Sequence, residues 1–240
     1  MVVTSMSERW LFGLMLWGTH ELVFFGTWGA YALLHRLGVA PRHRVMDGKA
    51  PPAETMGRAV RQIPLGHLAF LGIITVVVYP AWRAMGGSMS GPWPSLPQLA
   101  WQLVACMLVQ DTIFYWGHRA LHTKWLFRNV HRKHHDFRFV RVISAEYAHP
   151  VESALNVVAL MVGPVMLAVH PLTFVLWQGI RLWESMEAHS GYAFTALASR
   201  HAYHHLYAAR GCLGSFFGIW DRLMGTDAHW QRWRKEQTHR

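Results

Sequence analysis

Cysteine is scarce in this chain: Cys106 and Cys212 are the two among 240 residues. Two thiols cannot build a disulfide framework, a four-cysteine zinc site or an iron–sulfur cluster. Charge is also scarce, at 15% of residues, where an ordinary soluble domain carries about 25%. Acids are rarest, 13 against 23 Lys and Arg. The chain has no Gly-rich dinucleotide fingerprint and no separate haem domain. Apolar residues, in contrast, make up 52% of the chain and come in long blocks. That excludes a disordered chain, which lacks the apolar content for a core. A net charge of +10 usually points to nucleic acid or to an anionic membrane surface. The blocks favour the membrane, and no nucleic-acid partner is expected.

The blocks place the spans. Residues 10–34 are apolar apart from His20 and Glu21, and a bilayer core needs about 20 such residues in helical form. Two ionisable groups there are expensive in lipid and are expected to face protein. Residues 35–64 carry six Lys or Arg and four Pro, and read as a basic surface loop with a short interfacial helix. Residues 65–82 and 98–117 are apolar again, separated by a Gly- and Pro-rich turn and, in the second block, interrupted by Gln110 and Asp111. Residues 151–188 are apolar with breaks at Gly163-Pro164 and His170-Pro171, the pattern of a helical hairpin. The expectation is one domain over 1–240: spans in 1–117, then a histidine-rich part in 118–240 that contains the hairpin. The fold class is all-α, an integral membrane protein with about four to five embedded helical segments and a cytoplasmic helical cap.

Basic residues set the orientation. Twenty of the 23 Lys and Arg fall in 35–64, 118–150 and 189–240, and the opposite side keeps Arg9 and Arg83. The N-terminus is therefore expected outside, and everything after His118 in the cytoplasm.

The 17 His are the most unusual feature, and they cluster. His118-x-x-x-His122 is followed by His131-x-x-His134-His135 and later by His201-x-x-His204-His205. On a helix, residues at i, i+3 and i+4 share a face, so each pattern aims several imidazoles one way. Imidazole suits zinc, copper, iron and nickel, and eight imidazoles exceed what one ion can use. Two ions are expected. The first pattern follows the third apolar block directly, so all three can meet just above the bilayer. An apolar substrate could then reach the metals from the lipid.

These residues carry a resemblance. The three clusters stand in order, with Asp111 and Tyr115-Trp116 before the first and His149-Pro150-x-Glu152 after the second. His189-Ser190-Gly191 precedes the third, and Trp220-Asp221-Arg222 with Gly225-Thr226 follows it. From about Asp111 to Asp227 the chain resembles the fatty acid hydroxylase/sterol desaturase superfamily of membrane di-iron oxygenases. The resemblance implies two iron ions, which zinc can replace in a purified sample. It implies His118, His122, His131, His134, His135, His201, His204 and His205 as ligands, joined by His189 and His149. Family members often carry an Asn-aromatic-Gly after the third cluster, where this chain has Cys212-Leu213-Gly214.

The chemistry then expected is oxygen insertion into an unactivated C–H bond of a lipid such as a fatty acyl chain or sterol, or removal of two hydrogens. With no redox cofactor motif of its own, the chain needs an external electron donor, a ferredoxin or cytochrome with its reductase. Nearby carboxylates can orient the imidazoles. Asp111 is placed to accept a ring N–H from another segment or to join two spans, and Glu152 to fix His149. Two other classes stay open on the residues alone: a membrane dizinc hydrolase, and a metal-binding transporter or sensor.

Overall fold

The computed structural model describes residues 2–45, 50–208 and 211–238. Lys49, Arg210 and Arg240, which count in the charge asymmetry, lie outside them. The regular elements are all helical among the described residues, with a single isolated bridge between Arg44 and Tyr192.

Helix α1 (Val2–Arg36) is apolar on every side, so nothing in its own sequence breaks it. Phe12, Leu16, His20 and Phe24, spaced four apart, form its buried stripe, while Trp10, Leu14, Leu22 and Phe25 are at least half exposed. Helix α2 (Ala53–Ile73) starts inside the stretch expected to be loop. The basic loop is thus shorter than its composition implied, because Pro51 and Pro52 stop only what precedes Ala53. After α2 the chain runs through a π-helical turn at Ile74–Val78 into α3 (Tyr79–Ala84). The rod Ala53–Ala84 is, among the described residues, the helix long and apolar enough to cross a membrane, with a mean hydropathy of 1.8. His20-Glu21 in α1 and Gln110-Asp111 in α4 dilute the other two long helices.

Helix α4 (Leu96–Leu121) begins at Ser95, whose Oγ accepts from the Gln98 N–H at 3.3 Å, and ends at His122. The hairpin is α6 (Pro150–Met166) and α7 (Pro171–Ala188). Both start in the same way: His149 and His170 are N-caps whose Nδ1 atoms accept from the N–H groups of Val151 and Leu172, and a Pro follows each. Gly163 of α6 lies against the Cys106 backbone of α4, where an added Cβ would stand 3.1 Å from the Cα. That close approach locks the hairpin to the helix carrying the first His pattern. At the far end Phe12 stacks on Trp82 and meets Phe174 edge-on, and the Trp82 indole donates to the Val169 carbonyl at 3.0 Å.

The end of α4, the start of α6 and the end of α7 meet at one end of the bundle. The short elements gather there: α5 (Lys124–Asn129), 3-10 turns at His131–Asp136 and Val142–Glu146, α8 (Ala196–Tyr207), α9 (Ile219–Leu223) and α10 (Ala228–Thr238).

Candidate metal centre

Nine imidazoles converge at this end in two groups. His118, His122, His131, His135 and His204 form one, and His134, His189, His201 and His205 the other; within each, the ligand atoms lie within 4.8 Å of one another. Four elements supply them. The last turn of α4 presents His118 and His122, the C-cap of α7 presents His189, and α8 presents the third pattern. The second pattern lies on a 3-10 turn rather than the α-helix its spacing implied. Its His131 and His135 go to one group while His134 goes to the other, the same division that α8 makes between His204 and the pair His201 and His205.

The backbone orients the rings. His118 Nδ1 donates to the Leu213 carbonyl (3.0 Å), His134 to Tyr147 (3.1 Å), His189 to Ser185 (2.7 Å), His204 to Gly211 (2.9 Å) and His205 to Phe137 (3.1 Å). A carbonyl only accepts, so each of these neutral rings carries its proton on Nδ1 and leaves a lone pair on Nε2. Those Nε2 atoms face other Nε2 atoms: His134 and His189 at 3.2 Å, His118 and His131 at 3.1 Å, His189 and His201 at 2.9 Å. In the His134–His189 pair both lone pairs are fixed, and two lone pairs at that distance repel unless a cation lies between them. Metal–imidazole bonds of about 2.0–2.1 Å fit between such neighbours. The donor set therefore fits two metal ions, and nine neutral nitrogen ligands suit iron, zinc or copper rather than calcium or magnesium.

Burial keeps the rings neutral. It holds His134 down to about 4, against the pull of its bond to the Tyr147 carbonyl. His122 is held at about 3 by burial and by repulsion from His118 and His134. His131, His135, His189, His201, His204 and His205 are lowered chiefly by burial, too.

His149 does not join them. It caps α6 through Nδ1, because a His before a helix-starting Pro has an orphan N–H two residues on within reach. Glu152 goes elsewhere than expected: its Oε1 lies 2.9 Å from His131 Nδ1, in poor hydrogen-bond alignment, and its Oε2 is buried without a partner. Burial raises its carboxyl well above the usual range. Asp111 binds backbone instead of a ring, accepting from the Ser215 N–H at 3.1 Å. The Trp-Asp-Arg segment acts through Asp221, which accepts from the N–H groups of Leu213 (2.9 Å) and Gly214 (2.7 Å) and from the Thr226 hydroxyl (2.6 Å). It thereby fixes the loop whose Leu213 carbonyl holds His118. Cys212 adopts φ 62° in that loop, a left-handed backbone that Asn tolerates better than most residues. The departure at 212 thus falls on a backbone conformation, not on a ligand.

Two groups of largely buried imidazoles, five of the nine held by backbone carbonyls, define a histidine-rich centre at one end of a helical bundle that could hold two metal ions. The chain belongs to the fatty acid hydroxylase family, whose model matches residues 103–226. It is 35% identical over 225 residues to methylsterol monooxygenase 2-2 of Arabidopsis thaliana, covering 89% of this chain and 84% of the relative. It is 36% identical over 220 residues to a very-long-chain aldehyde decarbonylase of Oryza sativa subsp. indica, covering 87% and 82%. No solved structure matches. The protein is an oxidoreductase of this lipid-modifying, membrane-associated family.

Proposed function

We propose that this protein holds two iron ions in the nine-imidazole centre and hydroxylates, or desaturates, a membrane lipid of the sterol or acyl class. The observation that carries the reading is the set of buried Nε2 lone pairs aimed at one another. His118, His122, His131, His135 and His204 would hold one ion, and His134, His189, His201 and His205 the other. When bound, the pair supplies activation of O₂ and attack on an unactivated C–H bond. The chain does the rest. Phe114, Leu121 and Leu155 line a small cavity against His118, His131, His134, His189 and His201, which keeps water from the reacting carbon. Each turnover consumes one O₂, two electrons and two protons, and yields the hydroxylated lipid and water. The electrons come from an outside carrier, a ferredoxin or cytochrome with its reductase, that meets the basic face around Arg132 and Lys133.

For topology, we read α1, the Ala53–Ala84 rod and α4 as spans and the α6–α7 hairpin as embedded. The N-terminus is outside, and the metal centre and C-terminus are cytoplasmic. The many exposed apolar side chains of these helices, among them Leu22, Leu65, Val76 and Trp101, support it, because exposed apolar surface is favourable against lipid.

The test is metal analysis of the purified protein together with lipid mass profiling of a host that expresses it and a donor pair. Two ions per chain and a lipid that gains one oxygen or loses two hydrogens are expected. A product shortened by one carbon would move the reading to the chemistry named for the decarbonylase relative. Unchanged lipids, with two redox-silent ions bound, would move it to a hydrolase.

A further inference from the structure

Outside the nine-imidazole centre, one other group of ligating side chains is gathered among the described residues. His20 and Glu21 of α1 and His67 of α2 bring their ligand atoms within 4.8 Å of one another. Glu146, at the end of the Val142–Glu146 turn, closes a ring with them. Both imidazoles are buried. Glu21 and Glu146 keep 19% and 20% of their side-chain surface exposed, so the ring is not sealed. His20, His67 and Glu146 also line a cavity of about 170 Å³ between α1, α2, α6 and α7, which an ion can enter.

The two carboxylates stand at opposite edges of the rings. Glu21 lies at both Nδ1 atoms, 3.3 Å from that of His20 and 2.9 Å from that of His67. Glu146 lies at both Nε2 atoms, at 3.0 Å and 2.8 Å. A carboxylate only accepts. With one proton per ring, on Nε2, both rings donate to Glu146 and both Nδ1 lone pairs converge on Glu21. Metal-ligating imidazoles are built in this way, with the far nitrogen donating to a carboxylate that fixes the tautomer. The spacing fits as well, because two ligands about 2.0–2.1 Å from one tetrahedral ion stand about 3.3–3.4 Å apart. The ring geometry repeats that of the nine-imidazole centre. His20 and His67 have centroids 4.7 Å apart at 83°, against 4.7 Å at 77° for His122 with His131 and 4.7 Å at 79° for His122 with His204. Charge decides between two states of the ring. Without an ion, its four contacts need four N–H groups, so two imidazoliums must sit beside two carboxylates, all of them partly or wholly stripped of water. One divalent ion with two neutral rings and two carboxylates is equally neutral overall and needs no cationic ring.

We propose that His20 Nδ1, His67 Nδ1 and the Glu21 carboxylate form a third metal site, separate from the nine-imidazole centre, with Glu146 holding both rings from behind. Two imidazoles and a carboxylate suit zinc or ferrous iron, and three protein ligands leave a fourth position to water. The ion ties α1 to α2 and, through Glu146, to the residue beside Tyr147, whose carbonyl orients His134. With three protein ligands against five and four, this site binds its ion less tightly than the centre and fills from added metal. The proposal does not rest on which reaction the centre performs.

The experiment titrates zinc into the purified full chain in detergent, with two ions already in the centre, and counts bound metal by elemental analysis. Wild type is expected to take up one further zinc ion per chain, and to take up no magnesium or calcium, which imidazoles serve poorly. Glu21→Gln and His67→Gln should each lose that ion while the centre keeps its two, which also reports that the variants fold. Glu146→Gln keeps every ligand and should weaken the extra ion by about 10–100-fold, the range for losing a carboxylate behind a ligating ring. It carries the test if either of the other variants fails to fold. A wild type that takes up no further zinc overturns the proposal without any variant and leaves the ring as two ion pairs. A further zinc ion held equally well by wild type and by the folded variants overturns it too, since that ion lies elsewhere. Lipid oxidation is measured separately, so its absence would count against the oxygenase reading and not against this site.

Discussion

Five of the nine imidazoles are fixed by a carbonyl at Nδ1, on the ring edge opposite the converging Nε2 atoms. A change at such a residue removes a ligand and also strands the carbonyl. His134→Ala is therefore expected to lower metal content from two ions per chain toward one and to abolish turnover, as read by elemental analysis and product formation. Near-normal metal content and activity would remove this centre from the chemistry. His149→Ala gives the contrast. It should cost about 1 kcal/mol, the usual effect of losing a side-chain N-cap, while both ions remain, which a thermal melt with metal analysis checks. Acidity acts on the same residues. Their folded values lie below the ordinary 6.5, so the unfolded chain takes up more protons and stability rises with pH. The contribution is complete above about pH 6.5 and drains as pH falls toward about 4 for His134 and about 3 for His122. Metal binding needs the same neutral rings, so ion release in a chelator titration should follow that acid limb and show no counterpart on the alkaline side.

Elements matter through their ends. The centre is made where helices stop: His122 caps α4, His189 caps α7, and the second pattern occupies a 3-10 turn. The loop 211–215 has no regular structure, yet its Leu213 and Gly211 carbonyls orient His118 and His204. Asp221 holds that loop through two backbone N–H groups and Thr226. Asp221→Ala should loosen the loop without removing a ligand. A fall in metal affinity of about 10–100-fold is expected, the range for losing a group that supports a ligand. Competition with a chelator measures it, and unchanged affinity would mean that the loop is held by other contacts.

Over the whole molecule, the apolar surface decides the setting. Leu22, Leu65, Val76 and Trp101 are each more than half exposed on long helices, and exposed apolar surface of this kind marks a contact with lipid or with another protein. Ala50→Cys and Lys235→Cys should both be labelled from the cytoplasmic side in intact cells, and labelling from opposite sides would overturn the orientation. The same face should receive the electron carrier. Exposed Arg132 and the neighbouring Lys133, whose ammonium stands over the Tyr147 ring, carry charge away from the imidazoles. Reversing both should slow carrier-dependent turnover at low salt, and the difference should shrink as salt screens exposed charges over about 8 Å at 0.15 M.

Residue type and spacing alone determined much of this protein. Apolar runs longer than a helix needs in water made the all-α reading, and His-Pro pairs marked both starts of the hairpin. That the eight clustered His gather at one place was legible, because residues at i, i+3 and i+4 lie near one face of a helix. His189 was legible only through resemblance, since a lone His carries no pattern. Tertiary structure decided the remainder. It divided the imidazoles into five and four, because adjacent residues diverge by about 100–120° around a helix axis, which parts His134 from His135 and His204 from His205. It sent Glu152 to His131 and left His149 as a cap, because these depend on which helix end faces which.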